Sequence, residues 1–168
     1  MAESEIVKTK RDGTITIEDG TTPTANSYTV AFEAGDLSLT VPGRTVNLFL
    51  DRGVLTNPPQ IRYGDDQVPT GSFTAQLRDV SDATDETLAA ILLDSGIINT
   101  GWVGRGGATR EVKTYKITWT IEGTDHGDTA DHTIELDYCY ITGSVGDGDP
   151  STISINFTSY GAVYPTVT

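Results

Sequence analysis

Cysteine, long hydrophobic runs and basic residues are all scarce in this sequence. The single cysteine, Cys139, excludes a disulfide within the chain, so the redox compartment is unconstrained and cytoplasmic synthesis is consistent with the composition. No run approaches the ~20 apolar residues that a membrane-spanning helix needs. The opening residues, MAESEIVKTKRDG, are charged and lack the apolar core of a signal peptide, so we expect no secretory signal.

The balance of charge is strongly acidic. There are 11 Lys and Arg residues against 24 Asp and Glu residues, which gives a net charge of −13. A sequence-reading nucleic-acid binder would carry a basic patch instead. The acidic excess is consistent with a soluble, self-repelling monomer, and equally with a surface that repels a polyanion. The length of 168 residues suits one domain with a sizeable core.

Signatures of catalysis and of metal binding are missing as well. Both histidines lie in the acidic segment TDHGDTADH, at 124–132, but their spacing matches neither a zinc motif nor an EF-hand. The pair Asp147 and Asp149 likewise does not indicate a specific metal site. No GxSxG elbow occurs, and the glycine-rich segment 99–111 lacks the GxGxxG order. We therefore expect no enzyme, no catalytic residues, no metal and no cofactor.

Most of the chain alternates apolar and polar residues, as half-buried strands do. Three late segments show this most clearly, with predicted inward residues Tyr115, Ile117, Trp119 and Ile121; Ile134, Leu136, Tyr138 and Tyr140; and Ile153, Ile155 and Phe157. Earlier inward sets are Ile15 and Ile17; Tyr28, Val30 and Phe32; Leu37, Leu39 and Val41; Val46, Leu48 and Leu50; and Phe73, Ala75 and Leu77. The short, glycine-rich linkers between late strands are typical of antiparallel hairpins.

One segment has helical periodicity instead. Leu88, Ile91 and Leu92 form an apolar stripe, with Asp82 as a suitable N-cap and Gly96 as a C-terminal stop. A helix of about three turns is too short to be stable alone, so it must pack on a sheet. The prediction is a mainly β fold, an antiparallel β-sandwich or open barrel with one flanking α-helix.

The domain prediction is a flexible N-terminal arm at 1–12 and a single domain over 13–168. A long inter-strand loop at 51–70 and a C-terminal arm at about 161–168 belong to that domain. The loop contains three prolines and no sustained period, although a short hairpin could form around 60–63. Long irregular loops in compact domains are often functional or form interfaces, so this one is a candidate contact region.

Four segments, in order along the chain, carry a resemblance to a known family. They are TITIEDG with SYTVAFEAGDLSLTVPG, the loop 51–70, GSFTAQLRD followed by TDETLAAILLDSG, and HTIELDYCYITGSVGDGDPSTISINFTSYGAVYP. Each segment alone is a common β-pattern, and their order is the more specific signal. Over about 14–165, the chain resembles a bacteriophage tail tube protein, the major tail protein of long, non-contractile tails.

The resemblance implies a tail-tube fold and a structural role in the virion tail, after synthesis in the host cytoplasm. Copies would form hexameric rings that stack into a tube, and neighbouring sheets would join into a barrel around the lumen. Partners would be other copies and the tape measure, terminator and distal tail proteins, with no membrane. The loop and arms would reach adjacent subunits or rings, with candidate contacts Asp51, Arg52, Asn57, Arg62, Tyr63, Asp65 and Asp66.

In this interpretation genomic DNA passes through the lumen during ejection without specific binding. We expect an acidic lumen that repels phosphates, and a helix that covers the core away from the lumen. Two alternatives remain open. One is a monomeric β-sandwich binding module, although Tyr63, Trp102 and Tyr160 are dispersed in sequence. The other is a secretion-system tube protein of the same fold.

Overall fold

The computed structural model describes residues 13–18, 27–30, 37–49, 60–76, 114–124, 130–161 and 166–167. Its strands are β1 (Gly13–Glu18), β2 (Ser27–Thr29), β3 (Ser38–Thr40), β4 (Val46–Phe49), β5 (Gln60–Tyr63), β6 (Thr70–Gln76), β7 (Tyr115–Ile121), β8 (His132–Gly146), β9 (Thr152–Ser159) and β10 (Thr166–Val167). All of their pairings are antiparallel, which confirms the mainly β, antiparallel architecture. The predicted helix, with Leu88, Ile91 and Leu92, and the arm 1–12 lie outside the described residues.

Eight strands form one sheet around the long strand β8. The order is β2-β1-β7-β8-β9-β6-β3, with β10 also paired to β8, while β4 and β5 form a separate two-stranded sheet. β8 is 15 residues long and changes partners along its length. Its first half pairs with β7 and β10, and its second half, from Cys139 onward, pairs with β9.

One face of this large sheet carries the hydrophobic core. Registers align apolar residues across strands, so that Ile17 lies opposite Ile117 and Ile155 opposite Phe73. The rings of Phe73 and Phe157 are 6.3 Å apart at an interplanar angle of 47°. The buried apolar set is Ile15, Ile17, Val30, Phe73, Ala75, Tyr115, Ile117, Leu136, Cys139, Ile153, Ile155 and Phe157. Fully burying each large aliphatic or Phe side chain contributes roughly 1.5–3 kcal/mol.

A bulge in β8 changes which of its residues face the core. Leu136 pairs with Ile117 and Cys139 with Tyr115, so Asp137 and Tyr138 together oppose one residue of β7. Tyr138 adopts a left-handed conformation with φ of 53°, as one residue of such bulges often does. The extra residue reverses the alternation, because successive side chains point to opposite faces.

The prediction that Tyr138 and Tyr140 continue the inward face of β8 is therefore wrong. Cys139 is fully buried, whereas Tyr140 is 44% exposed. The first half of the strand follows the predicted pattern, with Leu136 buried, and so do β7 and β9. The alternation was correct on either side of the bulge, but the phase of the second half was inverted.

The segment around the predicted long loop also differs from expectation. Val46 and Leu48, predicted to face the core, are exposed, and Val41 is 40% exposed. The break at 42–43 separates β4 from β3, and β4 pairs with β5 instead of the large sheet. The predicted loop 51–70 thus contains strand β5 and the first residue of β6, while 51–59 lie outside the described residues.

The predicted C-terminal arm, 161–168, is partly incorporated into the sheet. Thr166 and Val167 pair with Glu135 and Ile134 of β8. The backbone N–H of Gly161 also donates to the carbonyl oxygen of Asp137 at 3.1 Å. These contacts attach the end of the chain to the half of β8 that β9 leaves free.

A candidate assembly interface

The β4–β5 hairpin exposes an apolar face. Val46 lies opposite Tyr63 and Leu48 opposite Ile61, so these four side chains share one side of the hairpin. Their exposed fractions are 59%, 75%, 51% and 64%, respectively. The opposite side carries Asn47, Arg62 and Gln60, together with Phe49. The hairpin is therefore amphipathic, yet no described residue covers its apolar side.

The base of the hairpin is held by a dense set of polar contacts. The backbone N–H of Gly64 donates to the Thr45 carbonyl at 2.7 Å, and the N–H of Thr45 donates to the Asp65 carbonyl at 3.1 Å. The Thr45 hydroxyl donates to the same carbonyl at 3.3 Å. A Cβ on Gly64 would lie 2.3 Å from the Thr45 hydroxyl oxygen and 2.9 Å from the Asn47 amide nitrogen, so a side chain here would require both of these side chains to move.

Arg44 connects this base to the apolar face. Its guanidinium donates through Nε and Nη2 to both carboxylate oxygens of Asp66, the second at 3.3 Å. The same guanidinium lies 5.9 Å from the centre of the Tyr63 ring, within cation–π range. Both members of the ion pair are about half exposed, so its contribution to stability is at most about 1 kcal/mol. The ion pair and the ring contact together link Arg44 to Tyr63 and Asp66.

The structure describes four of the seven predicted contact residues and brings them together. Arg62 and Tyr63 lie on opposite sides of β5, and Asp65 and Asp66 lie at the hairpin base. The other three, Asp51, Arg52 and Asn57, lie outside the described residues.

Sequence reasoning missed Arg44, Val46, Leu48 and Ile61 as members of this surface. The alternation of Ile61 with Tyr63 was a usable signal, since both fall on one side of a strand. The apolar residues of β4 were predicted to be buried in the core. Their alternating pattern is the same whether the apolar side of a strand packs within its own domain or against another chain.

The second notable surface is the open face of the large sheet, opposite the core. Every strand from β2 to β3 in the sheet order contributes to it, and hydroxyl side chains dominate. Its serines and threonines are Thr14, Thr16, Ser27, Thr29, Ser38, Thr40, Thr70, Ser72, Thr74, Thr118, Thr120, Thr133, Thr142, Ser144, Thr152, Ser154 and Thr158. Gln76, Tyr140 and Asn156 complete this uncharged set.

Charged side chains in the described strands occur at one place on the open face. The ammonium of Lys116 donates to Glu135 at 2.9 Å, beside Glu18 in the register and Asp137 in the bulge. The hydrogen bond to Glu135 raises the pKa of Lys116, and the charges of Glu135, Glu18 and Asp137 act in the same direction. The rest of the open face presents uncharged hydroxyls and amides.

An open groove of about 530 Å³ crosses this face between β3, β6, β9 and the second half of β8. Its walls include Thr142, Asn156 and Thr158, and the half-exposed rings of Tyr140 and Tyr160. Among the described residues, none of the side chains that line the groove is charged. These side chains can exchange hydrogen bonds with water or with a neutral polar ligand, and they include no acid–base pair of the kind that catalysis uses.

Two further reactive groups among the described residues, Cys139 and Asp131, are held by local hydrogen bonds. Cys139 donates to the carbonyl of Leu136 at 3.3 Å, and burial raises the pKa of its thiol to about 12. Asp131 accepts from the N–H groups of Gly123 and Thr124, which lowers its pKa. Among the described residues, no group of three His, Cys, Asp or Glu side chains is arranged to hold a metal ion.

No protein-family model and no curated protein matches this chain. Within the part of the chain that the structure describes, no helix is long and apolar enough to cross a membrane.

Proposed function

We propose that the chain is a structural, non-enzymatic subunit that assembles into the tube of a bacteriophage tail. Copies form hexameric rings through their sheets, and rings stack into a hollow tube through which DNA leaves the virion. The protein is made in the host cytoplasm and ends in the virion tail, beside the tape measure, terminator and distal tail proteins. The resemblance in sequence motivates this proposal, and the exposed hairpin supports it.

The observation that carries the proposal is the uncovered apolar face of the β4–β5 hairpin. An isolated two-stranded hairpin is marginally stable in water, and this one shows four large apolar side chains to solvent. Contiguous exposed apolar surface on a folded domain marks an interaction site. Polar contacts at the base fix the hairpin's direction, so a partner meets a preformed surface. A second copy of the chain is the partner that a tube requires.

The edges of the large sheet support the same proposal. β2 and β3 are the outermost strands of the described sheet and lie at opposite ends of its strand order. An outer strand has unpaired backbone N–H and C=O groups that can pair with another chain, and the three residues described in each of these strands offer a short edge for such pairing. Pairing β2 of one copy with β3 of the next is a heterologous contact, and such contacts close into rings when the rotation permits.

Electron microscopy and size-exclusion chromatography of the purified chain test assembly. We expect rings or tubes from the wild-type protein. The double variant Leu48→Ser with Ile61→Ser removes the centre of the apolar face, and we expect at least about a tenfold higher concentration for half-assembly, equivalent to 1.4 kcal/mol. The matched control, Asn47→Ser with Gln60→Ser, changes the opposite side of the same strands and should assemble like the wild type.

Fold integrity is measured in parallel by chemical unfolding. All four residues are exposed, so neither double variant should change the free energy of unfolding of the monomer by more than about 0.5 kcal/mol per substitution. A wild-type chain that stays monomeric at high concentration contradicts the proposal, as does an apolar-face variant that assembles as well as its control.

The groove on the open face favours one second candidate, a monomeric binding module for a neutral, hydroxyl-rich ligand such as a carbohydrate. Tyr140 and Tyr160 line the same groove, although they are 20 residues apart in the sequence. A stable monomer that binds oligosaccharides, with binding lost in Tyr140→Ala, would favour this candidate. A secretion-system tube protein shares the assembly behaviour, and imaging tubes within phage particles distinguishes the two.

A further inference from the structure

The open face does not share the acidic character of the chain. The chain carries a net charge of −13, yet the described strands place charged side chains on this face only around Lys116. The described acidic residues elsewhere include Asp65 and Asp66 at the hairpin base and Asp147 and Asp149 in the β8–β9 loop. The hydroxyl-rich face is therefore a separate chemical surface, with seventeen serines and threonines in seven strands of one sheet.

We propose that the open face lines the channel of the assembled tube and presents double-stranded DNA with a hydroxyl-rich surface, on which the charges of the described strands are confined to the site around Lys116. This inference rests on the proposed function and revises one expectation drawn from composition, that an acidic lumen repels the DNA. Among the described acidic residues, Asp65, Asp66, Asp147 and Asp149 lie outside the strands of the large sheet.

The physical case begins with what each kind of lining does to a polyanion. Basic side chains bind phosphates and release counterions, which would hold the DNA in place. A dense acidic lining would repel phosphates by about 1 kcal/mol for each close pair of charges in water, which raises a barrier to entry. Hydroxyl groups exchange hydrogen bonds with water at little net free energy, so they add neither strong adhesion nor a barrier.

The other described surfaces are less suited to line a channel. The core face of the large sheet is covered, since residues such as Ile117, Ile153 and Ile155 are at most 1% exposed. The apolar side of the hairpin would adhere to another copy rather than remain wetted. The open face is polar, extends across all the strands from β2 to β3, and remains continuous if copies pair edge to edge.

Chemical accessibility tests where the open face lies. Asn156 is central on this face, paired with Ser72 and Thr142, whereas Gln67 is exposed in the segment between β5 and β6. The variants Asn156→Cys and Gln67→Cys are each treated with a small maleimide and with a maleimide coupled to a large globular protein. Cys139 is buried with its pKa raised to about 12, so it should contribute little background.

In dispersed subunits we expect both reagents to label both variants. In assembled tubes, the small reagent should still label both, while the bulky reagent labels Gln67→Cys and loses at least about tenfold in rate at Asn156→Cys. Wild-type protein that forms no tubes overturns the proposed function and this inference with it. Tubes in which the bulky reagent still reaches Asn156→Cys overturn only the inference.

DNA retention tests the chemistry of the lining. Asn156→Lys and Gln67→Lys exchange the same kind of amide side chain for the same charge, on and off the open face. Tubes of each are incubated with linear double-stranded DNA and sedimented over a range of salt concentrations. We expect no retention by wild-type or Gln67→Lys tubes. Asn156→Lys tubes should retain DNA at least about tenfold more at low salt, with retention falling as salt rises.

A second open-face position keeps the test informative if Asn156→Lys does not assemble. Ser154→Lys lies on the same face, between Thr74 and Ser144, and is expected to behave like Asn156→Lys. Equal retention by open-face and Gln67 variants contradicts the proposed lining. DNA bound tightly by wild-type tubes, with a steep salt dependence, also contradicts it, because that result requires basic groups in the channel.

Discussion

The two faces of the large sheet come from the same strands but have opposite compositions. In β9, Ile153, Ile155 and Phe157 are buried, and the residues between them, Ser154 and Asn156, are exposed. The neighbouring strands repeat this contrast in register. The core face supplies the hydrophobic free energy that holds the sheet together. The open face contributes little packing, so its composition is free to serve a function outside the subunit.

The hairpin adds a third environment to this comparison. Its strands alternate as the sheet strands do, but its apolar side has no core to cover within the described chain. Alternation alone therefore distinguishes two sides of a strand without saying whether the apolar side meets its own domain or a partner.

Truncating adjacent residues of β9 should separate the two faces most sharply. Phe157→Ala removes a ring that is 2% exposed and packs beside Phe73, and we expect a loss of about 3–5 kcal/mol in the free energy of unfolding. Asn156→Ala, one residue away on the open face, should change it by no more than about 0.5 kcal/mol. Urea unfolding followed by circular dichroism measures both. Similar losses in the two variants would contradict the assignment of the faces.

Adding a methyl group at Gly71 tests the tightness of the core face. A Cβ there would lie 2.3 Å from the Phe157 ring and 2.5 Å from the Ser38 carbonyl oxygen, so Gly71→Ala should cost about 1–3 kcal/mol. Gly43→Ala is the matched control, because nothing lies within 4 Å of its added Cβ. Its effect should stay within about 0.5 kcal/mol in the same unfolding assay. A tolerated Gly71→Ala would mean that Phe157 has room to move.

The smallest predicted effect concerns the charged site on the open face. The hydrogen bond to Glu135 raises the pKa of Lys116 above its ordinary value of 10.5, so the folded state holds this proton more tightly than the unfolded chain. The resulting stability is complete below pH 10.5 and is lost as the pH rises through the raised pKa. Because both side chains are about one-third exposed, we expect no more than about 0.5 kcal/mol.

Unfolding of wild-type protein and Lys116→Met at neutral pH and at about pH 11.5 measures this contribution. The stability difference attributable to the charge should shrink at the higher pH, while tyrosine ionisation affects both proteins alike. A difference that grows with pH would show that Lys116 is not stabilised by Glu135 in the folded state.

Much of the sheet was predictable from sequence because burial follows a period of two. β9 buries all three of its predicted inward residues, β7 buries Tyr115 and Ile117 of its four, and β6 buries Phe73 and Ala75 as expected. The second half of β8 was inverted, since a bulge depends on local pairing that alternation does not encode. The identity of Tyr138 does not indicate a bulge, because the left-handed conformation that it adopts is usually occupied by Gly, Asn or Asp.

The predicted contact residues that the structure describes fall in one region, and their role in contacts between copies stays a prediction. Proline content and lost periodicity pointed to 51–70, and Arg62, Tyr63, Asp65 and Asp66 do lie on or beside the hairpin. The partner strand was not predicted, because pairing of β4 with β5 depends on contacts across the connection. The same limit applies to Arg44, whose carboxylate partner is 22 residues away in the sequence.

The bulge in β8 determines which face of the sheet each residue after it occupies. With Asp137 and Tyr138 both present, Cys139 and Ile141 face the core and Tyr140 and Thr142 face outward. Deleting one residue there, or inserting one just after it, would exchange the two faces for the rest of the strand. Divergent forms of this protein should therefore tolerate many substitutions in β8, while changes in its length should occur in pairs of residues or be confined to the loop after Gly146.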